Sequence, residues 1–343
     1  MFYRRNWERF PIGNPGDAYH LSQGPELINI ETTWRCNSNC KMCGHSIPGF
    51  TMPSHPDFPM EAIEKLSSFL VTAKTIYFSG YGEPLMHPQL YEIIALAKSM
   101  NKAGTVALTS NGTLLSDKNI DKLIQSALDF MEVSFDGYDN EFGHLEAAQV
   151  VTNLKNLQDR KRKIGVQNPQ VRLTTVLMRN NAGQLKQIID ACIEAGIPSC
   201  SILPLRAVPR NPNFNFWDQD VYSNRDYVLP FLEEAIVYGR SRGIEVILLL
   251  MAEDLSIDRQ RCTSPFTFFH VSTQGDVCMC CDGKAANENI YQRGLWEIWN
   301  SDAYKNLRCM VDTESYDQKC LGCTVVQPDT RVEGMSKRHP FLS

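Results

Sequence analysis

Trp34-Arg35-Cys36-Asn37-Ser38-Asn39-Cys40-Lys41-Met42-Cys43-Gly44-His45 is the stretch whose reading decides the fold. It sets Cys36, Cys40 and Cys43 in a C-x3-C-x2-C array. Three thiolates this close cap one face of a metal cluster and cannot close it. Iron–sulfur cubanes are usually held by four cysteines. The array therefore leaves one iron open to a non-protein ligand, and the chemistry is expected there. Zinc is the competing reading, because His45 can supply the fourth ligand that zinc wants. A disulfide with a spare thiol is a third. The loop follows an apolar strand, Leu27-Ile28-Asn29-Ile30, as a loop at the C-terminal mouth of a barrel would.

Working outward, strands and helices alternate. Strands are expected over 27–34, 75–80, 105–110, 130–135, 171–178 and 201–205. Helices are expected over 60–70, 89–100 and 145–157. Ser116 reads as an N-cap, opening a helix with Ile120, Leu123, Ile124 and Ala127 on one face. A further helix carries Leu185, Ile188, Ile189 and Cys192 and ends near Gly196. One over 227–238 takes Pro230 in its first turn. Six βα units with short connections make an α/β chain with parallel strands and right-handed crossovers. Eight such units are needed to close a barrel. The strand at 244–250 is expected to lead out of this unit. Beyond it, 266–272 and 276–280 flank a turn at Gln274-Gly275 and read as a hairpin, with a helix over 295–308.

The totals exclude several classes. The 343 residues carry a net charge of -5 and no basic run, so no nucleic-acid footprint is expected. No apolar run approaches the ~20 residues that span a bilayer. The N-terminus lacks an apolar signal core, and a cytoplasmic protein is expected. The twelve cysteines then read as metal or redox sites rather than a disulfide framework.

A second cysteine group lies toward the C-terminus. Cys262 is followed by twelve residues, Gly275, four residues and Cys280, and then by Cys320-x2-Cys323. Four thiolates from two directions make a closed site, either a [4Fe–4S] cluster or tetrahedral zinc. Cys278, on the same strand face as Cys280, and the adjacent Cys281 are alternates.

With these motifs the chain resembles the radical S-adenosylmethionine (SAM) superfamily, whose hallmark is the C-x3-C-x2-C spacing. The resemblance implies a partial (β/α)6 TIM-like barrel. It implies that SAM chelates the open iron of the first [4Fe–4S] cluster. The position before the last cysteine, usually aromatic and close to the adenine, is Met42 here. Gly80-Tyr81-Gly82-Glu83-Pro84 matches the turn whose carbonyls meet the SAM ammonium. Gly82 would allow close approach, and Glu83 would order the turn or the ammonium. Ser110, Asn111 and Ser134 fall at positions that bind the ribose or carboxylate. The arginine that often follows the Ser134-type position is missing from 137–149, and Arg172 is the substitute.

The C-x12-G-x4-C opening matches the SPASM/twitch extension of this superfamily. The implied reading is one auxiliary [4Fe–4S] cluster on Cys262, Cys280, Cys320 and Cys323, in a small cysteine-rich domain of hairpin plus helix. The implied division is an irregular segment 1–25, the barrel 26–243, the auxiliary domain 244–330 and a tail 331–343.

The chemistry implied is reductive cleavage of SAM to a 5′-deoxyadenosyl radical, which takes a hydrogen atom from an unactivated C–H. The protein positions the reactants and excludes water. A closed auxiliary cluster would accept one electron from the substrate radical, so that the net reaction is an oxidation. Arg206, Arg210 and His270 are candidates for base or substrate anchor. Tyr81 is a candidate for the mouth, and Cys281 for a hydrogen donor if the reaction is an epimerisation. The expected substrate is a small carbohydrate-like molecule or aminocyclitol, and the alternative is a ribosomally made peptide. The short segment before the first strand suggests that a leader-peptide domain is absent. A flavodoxin- or ferredoxin-type reductant is the expected partner.

Overall fold

A computed structural model describes residues 19–139, 146–205, 214–221, 223–248, 262–280, 283, 285–317 and 320. Arg206, Arg210, Cys281 and Cys323 lie outside these residues, as does the proposed tail.

The strands are β1 (Leu27–Ile30), β2 (Thr75–Phe78), β3 (Thr105–Ser110), β4 (Phe130–Ser134), β5 (Gln170–Leu177), β6 (Ser199–Pro204), β7 (Glu245–Leu248), β8 (Phe268–Val271), β9 (Asp276–Cys278) and β10 (Ala285–Asn289). They form one ten-stranded sheet in the order β10-β9-β8-β1-β2-β3-β4-β5-β6-β7. Pairing is parallel from β8 through β1 to β7. It is antiparallel at β8–β9 and β9–β10. The result is an unclosed, TIM-like arc among the described residues.

The helices are α1 (Ala62–Lys65), α2 (Ser67–Leu70), α3 (Leu90–Met100), α4 (Asp117–Gln125), α5 (Ala147–Ile164), α6 (Leu185–Ala195), α7 (Phe216–Gln219), α8 (Arg225–Ser241), α9 (Ser264–Thr267), α10 (Leu295–Trp299) and α11 (Asp302–Asp312). Ser116 caps α4 through Asn119 N. Gly196 ends α6 at φ +70°, a conformation that favours glycine.

Strand alternation separates two environments. Ile28, Ile76, Leu108, Met131, Leu173, Ile202 and Phe269 are buried against the helices, and the core lies there. The alternate residues face the lumen of the arc and are mostly polar: Asn29, Tyr77, Thr109, Glu132, Arg172, Thr174, Ser201 and His270.

The strand expected to leave the barrel instead extends it. β7 pairs in parallel with β6, Ser199 opposite Glu245, because an edge strand offers unpaired N–H and C=O groups to the next segment. The hairpin forms as expected, but its first strand also joins the barrel, Ile28 opposite Phe269. β10 is an addition. The helix expected over 295–308 is two helices, broken where Ser301 takes an extended conformation. α8 begins at Arg225, so Pro230 sits inside it rather than in its first turn. Among the described residues no helix is long and apolar enough to cross a membrane.

Candidate active site

The cysteine loop hangs on buried carboxylates at the strand ends. Glu31, 2% exposed, follows β1 and accepts from three segments at once. Trp34 Nε1 in the cysteine loop donates at 2.5 Å, Tyr81 N in the β2 turn at 3.1 Å and Thr273 N in the hairpin turn at 3.4 Å. Burial pushes its carboxyl up, and these donors pull it back. Asp57 fixes the loop base by accepting from Thr33 Oγ1 at 2.7 Å and pairing with Arg35. Sequence reasoning missed both acids; neither lies in a motif.

The β2 turn is closed onto the loop. Glu83 N donates to Arg35 O at 2.8 Å. A Cβ on Gly82 would stand 2.2 Å from Thr33 O and 2.6 Å from Arg35 O. The close approach expected at Gly82 is thus made to the loop's own backbone. The Glu83 carboxylate, also 2% exposed, accepts from Ser110 Oγ at 2.7 Å, Asn111 N at 2.7 Å and Leu85 N at 3.1 Å. It ties the β2 turn to the end of β3. Ser110 is engaged there, its hydroxyl also accepting from Gly112 N. The Asn111 amide donates to Asn37 Oδ1 at 2.9 Å and Ser38 Oγ at 3.3 Å, so it tethers the segment between Cys36 and Cys40. Tyr81 is about half exposed and meets Trp34 edge-on.

The donor set fits a cubane with an open iron. Cys36, Cys40 and Cys43 are partly exposed on one loop. Ser38 N and His45 N lie within 3.4 and 3.5 Å of the Cys36 and Cys43 sulfurs. Burial pushes both thiols up, a cost that a bound cationic metal removes. His45, the candidate fourth ligand for zinc, has its Nε2 3.0 Å from Trp34 O and its ring on Phe50. Among the described residues no three His, Cys, Asp or Glu side chains converge on a single ion; a cubane spreads its ligands more widely. Met42 packs with Val176 on a pad of Met178, Leu205, Phe214 and Phe216 beside the ends of β5 and β6.

The lumen holds two polar networks. In one, Tyr77 donates to Glu132 Oε2 at 2.5 Å, so Thr109 Oγ1, 2.7 Å away, donates to the phenol oxygen. Burial, then Glu132, pushes the Tyr77 phenol up and keeps it a donor. Arg172, 7% exposed, pairs with Glu132 over the Phe130 ring, and its Nε has no partner among the described residues. Ser134 lies two residues beyond Glu132, opposite Thr174, whose hydroxyl meets Ser201 Oγ at 2.9 Å. In the other, the Asn29 amide contacts His270 Nδ1 at 2.8 Å and is held by Ser79 on both its atoms.

The second cysteine group abuts the lumen. Cys262 is buried just before α9, while Cys280 and Cys320 are partly exposed. His270 of β8 stands opposite Cys278 of β9, two residues from Cys280. Cys262, Cys280 and Cys320 are the described members of the expected auxiliary ligand set, and Cys323 lies outside the described residues.

The comparisons agree with this architecture. A model of the radical SAM superfamily matches residues 30–205, and one of an iron-sulfur cluster-binding domain, SPASM, matches residues 262–324. The chain is 32% identical over 337 residues to an AdoMet-dependent heme synthase of Methanosarcina barkeri, covering 88% of this chain and 89% of that one. It is 25% identical over 327 residues to a tungsten-containing aldehyde ferredoxin oxidoreductase cofactor-modifying protein of Pyrococcus furiosus, covering 88% and 87%. The SAM-bound crystal structure of Streptococcus suis SuiB shares the fold at TM-score 0.64 and 16% identity, over 88% of this chain and 71% of that one.

This chain belongs to the radical SAM superfamily and carries a SPASM-type iron–sulfur domain. It is a radical SAM enzyme whose cofactors are SAM, a SAM-binding [4Fe–4S] cluster and an auxiliary cluster.

Proposed function

We propose that the enzyme dehydrogenates a small polar molecule, carbohydrate-like or an aminocyclitol, held in the lumen. The observation that carries this reading is strand β8. Its inner face brings His270 into the lumen beside Asn29 of β1, and its other edge is paired to β9, which leads into Cys280. Substrate and electron acceptor would then be neighbours. SAM and its cluster, when bound, supply the radical that takes a hydrogen atom from the substrate.

The lumen offers this chemistry hydroxyls, amides and one ion pair. The Glu31 and Glu83 carboxylates are 2% exposed and hold backbone at the strand ends, whereas the Glu132 side chain, although it accepts from Tyr77 and Arg172, keeps 17% exposure. Glu132 is the lumen carboxylate that takes the substrate proton, with Tyr77 and Arg172 holding it in place. Asn29 donates to His270 Nδ1, so His270 presents Nε2–H and anchors a substrate oxygen rather than acting as a base. Ser134 and the pad around Met42 suit the SAM carboxylate or ribose and the adenine. Arg172 is committed to Glu132 through Nη2, so a contact with SAM would share its guanidinium with that pair. Of the relatives matched over most of their length, two are named for haem synthesis and for cofactor modification, which supports a small molecule, and one, a PqqA peptide cyclase, is named for a peptide and supports the alternative. A flavodoxin- or ferredoxin-type protein supplies the electron that starts each turnover.

The test is anaerobic incubation of cluster-loaded enzyme with SAM, dithionite and separate panels of polyols, aminocyclitols and peptides. A product lighter by two mass units, formed with 5′-deoxyadenosine from a polyol or aminocyclitol, supports the reading. Turnover of peptides alone, or a product of unchanged mass in H2O that gains one mass unit in D2O, overturns it.

A further inference from the structure

Arg308 of α11 is fully buried, and among the described residues no carboxylate pairs with it. Its Nε donates to Pro265 O at 2.9 Å, and its Nη1 donates to Tyr19 O at 2.8 Å and lies 3.4 Å from Asn300 Oδ1. Its Nη2 has no hydrogen-bond partner among the described residues. The guanidinium carbon lies 4.6 Å from the Trp299 ring centre and 5.2 Å from that of Tyr304. A full positive charge is thus held among neutral oxygens and two rings. Such a charge is expensive to bury unless something nearby is negative.

The cysteines expected to hold the auxiliary cluster belong to neighbouring segments. Pro265 is in α9, three residues beyond Cys262, and α11 leads toward Cys320. Tyr304, also fully buried, approaches Phe268 O with its hydroxyl at 3.5 Å; Phe268 opens β8, which pairs with β9. Burial pushes the Tyr304 phenol up; Arg308 opposes this, and the Cys278 and Cys280 thiols add to it. The guanidinium is therefore bonded to α9, three residues beyond Cys262, and stacks beside Tyr304, whose hydroxyl approaches the start of β8.

We propose that Arg308 is the fixed charge that raises the reduction potential of the auxiliary cluster. A cubane on four thiolates is anionic, and taking one electron makes it more so. A nearby cation in a poorly screened interior favours the reduced form. The inference rests on the reading that this cluster accepts the substrate-radical electron. In that step the substrate radical loses one electron to the cluster and one proton to the lumen base. A ferredoxin-type carrier then reoxidises the cluster.

The experiment is an anaerobic redox titration, followed by electron paramagnetic resonance, of the full-length chain with Cys36, Cys40 and Cys43 changed to Ala. Only the auxiliary cluster then titrates. Arg308→Met should lower its midpoint by at least tenfold in the electron-transfer equilibrium, about 59 mV for a one-electron couple. Arg308→Lys, which keeps the charge, should shift it less than Arg308→Met. Asn300→Asp, which puts a carboxylate beside the guanidinium without shortening any side chain, should also lower it. Asn300→Asp also keeps the test decisive if Arg308→Met does not fold. Unchanged midpoints in Arg308→Met and Asn300→Asp, or equal shifts in the Lys and Met variants, overturn the proposal. Failure of the Cys-to-Ala chain to hold any cluster would instead overturn the ligand reading on which it rests.

Discussion

Asn29 holds His270 across the β1–β8 junction, amide nitrogen to Nδ1 at 2.8 Å. Ser79 fixes the amide's orientation, because its backbone oxygen accepts from Nδ2 and its hydroxyl donates to Oδ1. Nδ1 is therefore an acceptor, and the ring is neutral with its proton on Nε2. Burial agrees, pushing the imidazole down to about 4.

That depression has a stability signature. Between about pH 6.5 and 4 the unfolded chain takes up a proton at His270 and the folded chain does not, so stability falls as pH falls through this window. The loss is on the order of 3 kcal/mol at most. His270→Gln, which can still accept from Asn29, should flatten this part of the profile. Urea midpoints at pH 7 and pH 5 check it; an unchanged pH dependence in the variant would count against a buried neutral imidazole.

Asp136 should give the opposite slope. It is 7% exposed, accepts from Val176 N at 2.7 Å and is pushed by burial up to about 7. The folded chain binds this proton more tightly than the unfolded one. Its contribution is therefore present below about pH 4 and lost as pH rises toward 7. Asp136→Asn should make the protein relatively more stable at pH 8 than at pH 5, by a few kcal/mol at the upper limit. The same urea series, run on this variant, measures it.

Gly82→Ala should disable the SAM site while sparing the auxiliary domain. The added carbon meets two backbone carbonyls, which cannot rotate away as a side chain would. We expect a cost of about 1–3 kcal/mol, at least a tenfold loss of 5′-deoxyadenosine formation, and iron lost from the first cluster before the second. Iron analysis and single-turnover SAM cleavage distinguish these outcomes.

Glu83→Ala should be worse than Glu83→Gln. Alanine strands three donors, Ser110 Oγ and Leu85 N buried and Asn111 N partly so, and each buried one costs about 1–3 kcal/mol when left unpaired. Glutamine keeps an acceptor oxygen and loses part of the set. Thermal melts of the two variants should rank accordingly, and equal melts would remove Glu83 from its assigned role.

The barrel was legible because its strands alternate with amphipathic helices, and Thr105–Ser110 is recovered without error. β10 was not, since Ala285-Ala286-Asn287-Glu288-Asn289 has neither apolar alternation nor β-branched residues; it is a strand only because β9 offers an edge. The role of β8 as a barrel strand was hidden for a different reason. Phe268–Val271 reads as a hairpin arm, and its parallel partner β1 lies more than two hundred residues earlier. The cysteine motifs announced metal sites by spacing, and the family resemblance they carry made those sites iron–sulfur clusters. Glu31 and Asp57, which position the first loop, gave no such signal, because their partners are backbone N–H groups and side chains gathered only by folding.

Iron, sulfide and 5′-deoxyadenosine measured on anaerobically prepared wild type and on Cys36→Ala/Cys40→Ala/Cys43→Ala test the central claim most directly. The account predicts that the variant loses one cubane's complement of iron and sulfide, keeps the other, and no longer cleaves SAM. A variant that still forms 5′-deoxyadenosine, or that carries the same iron and sulfide as wild type, would contradict it.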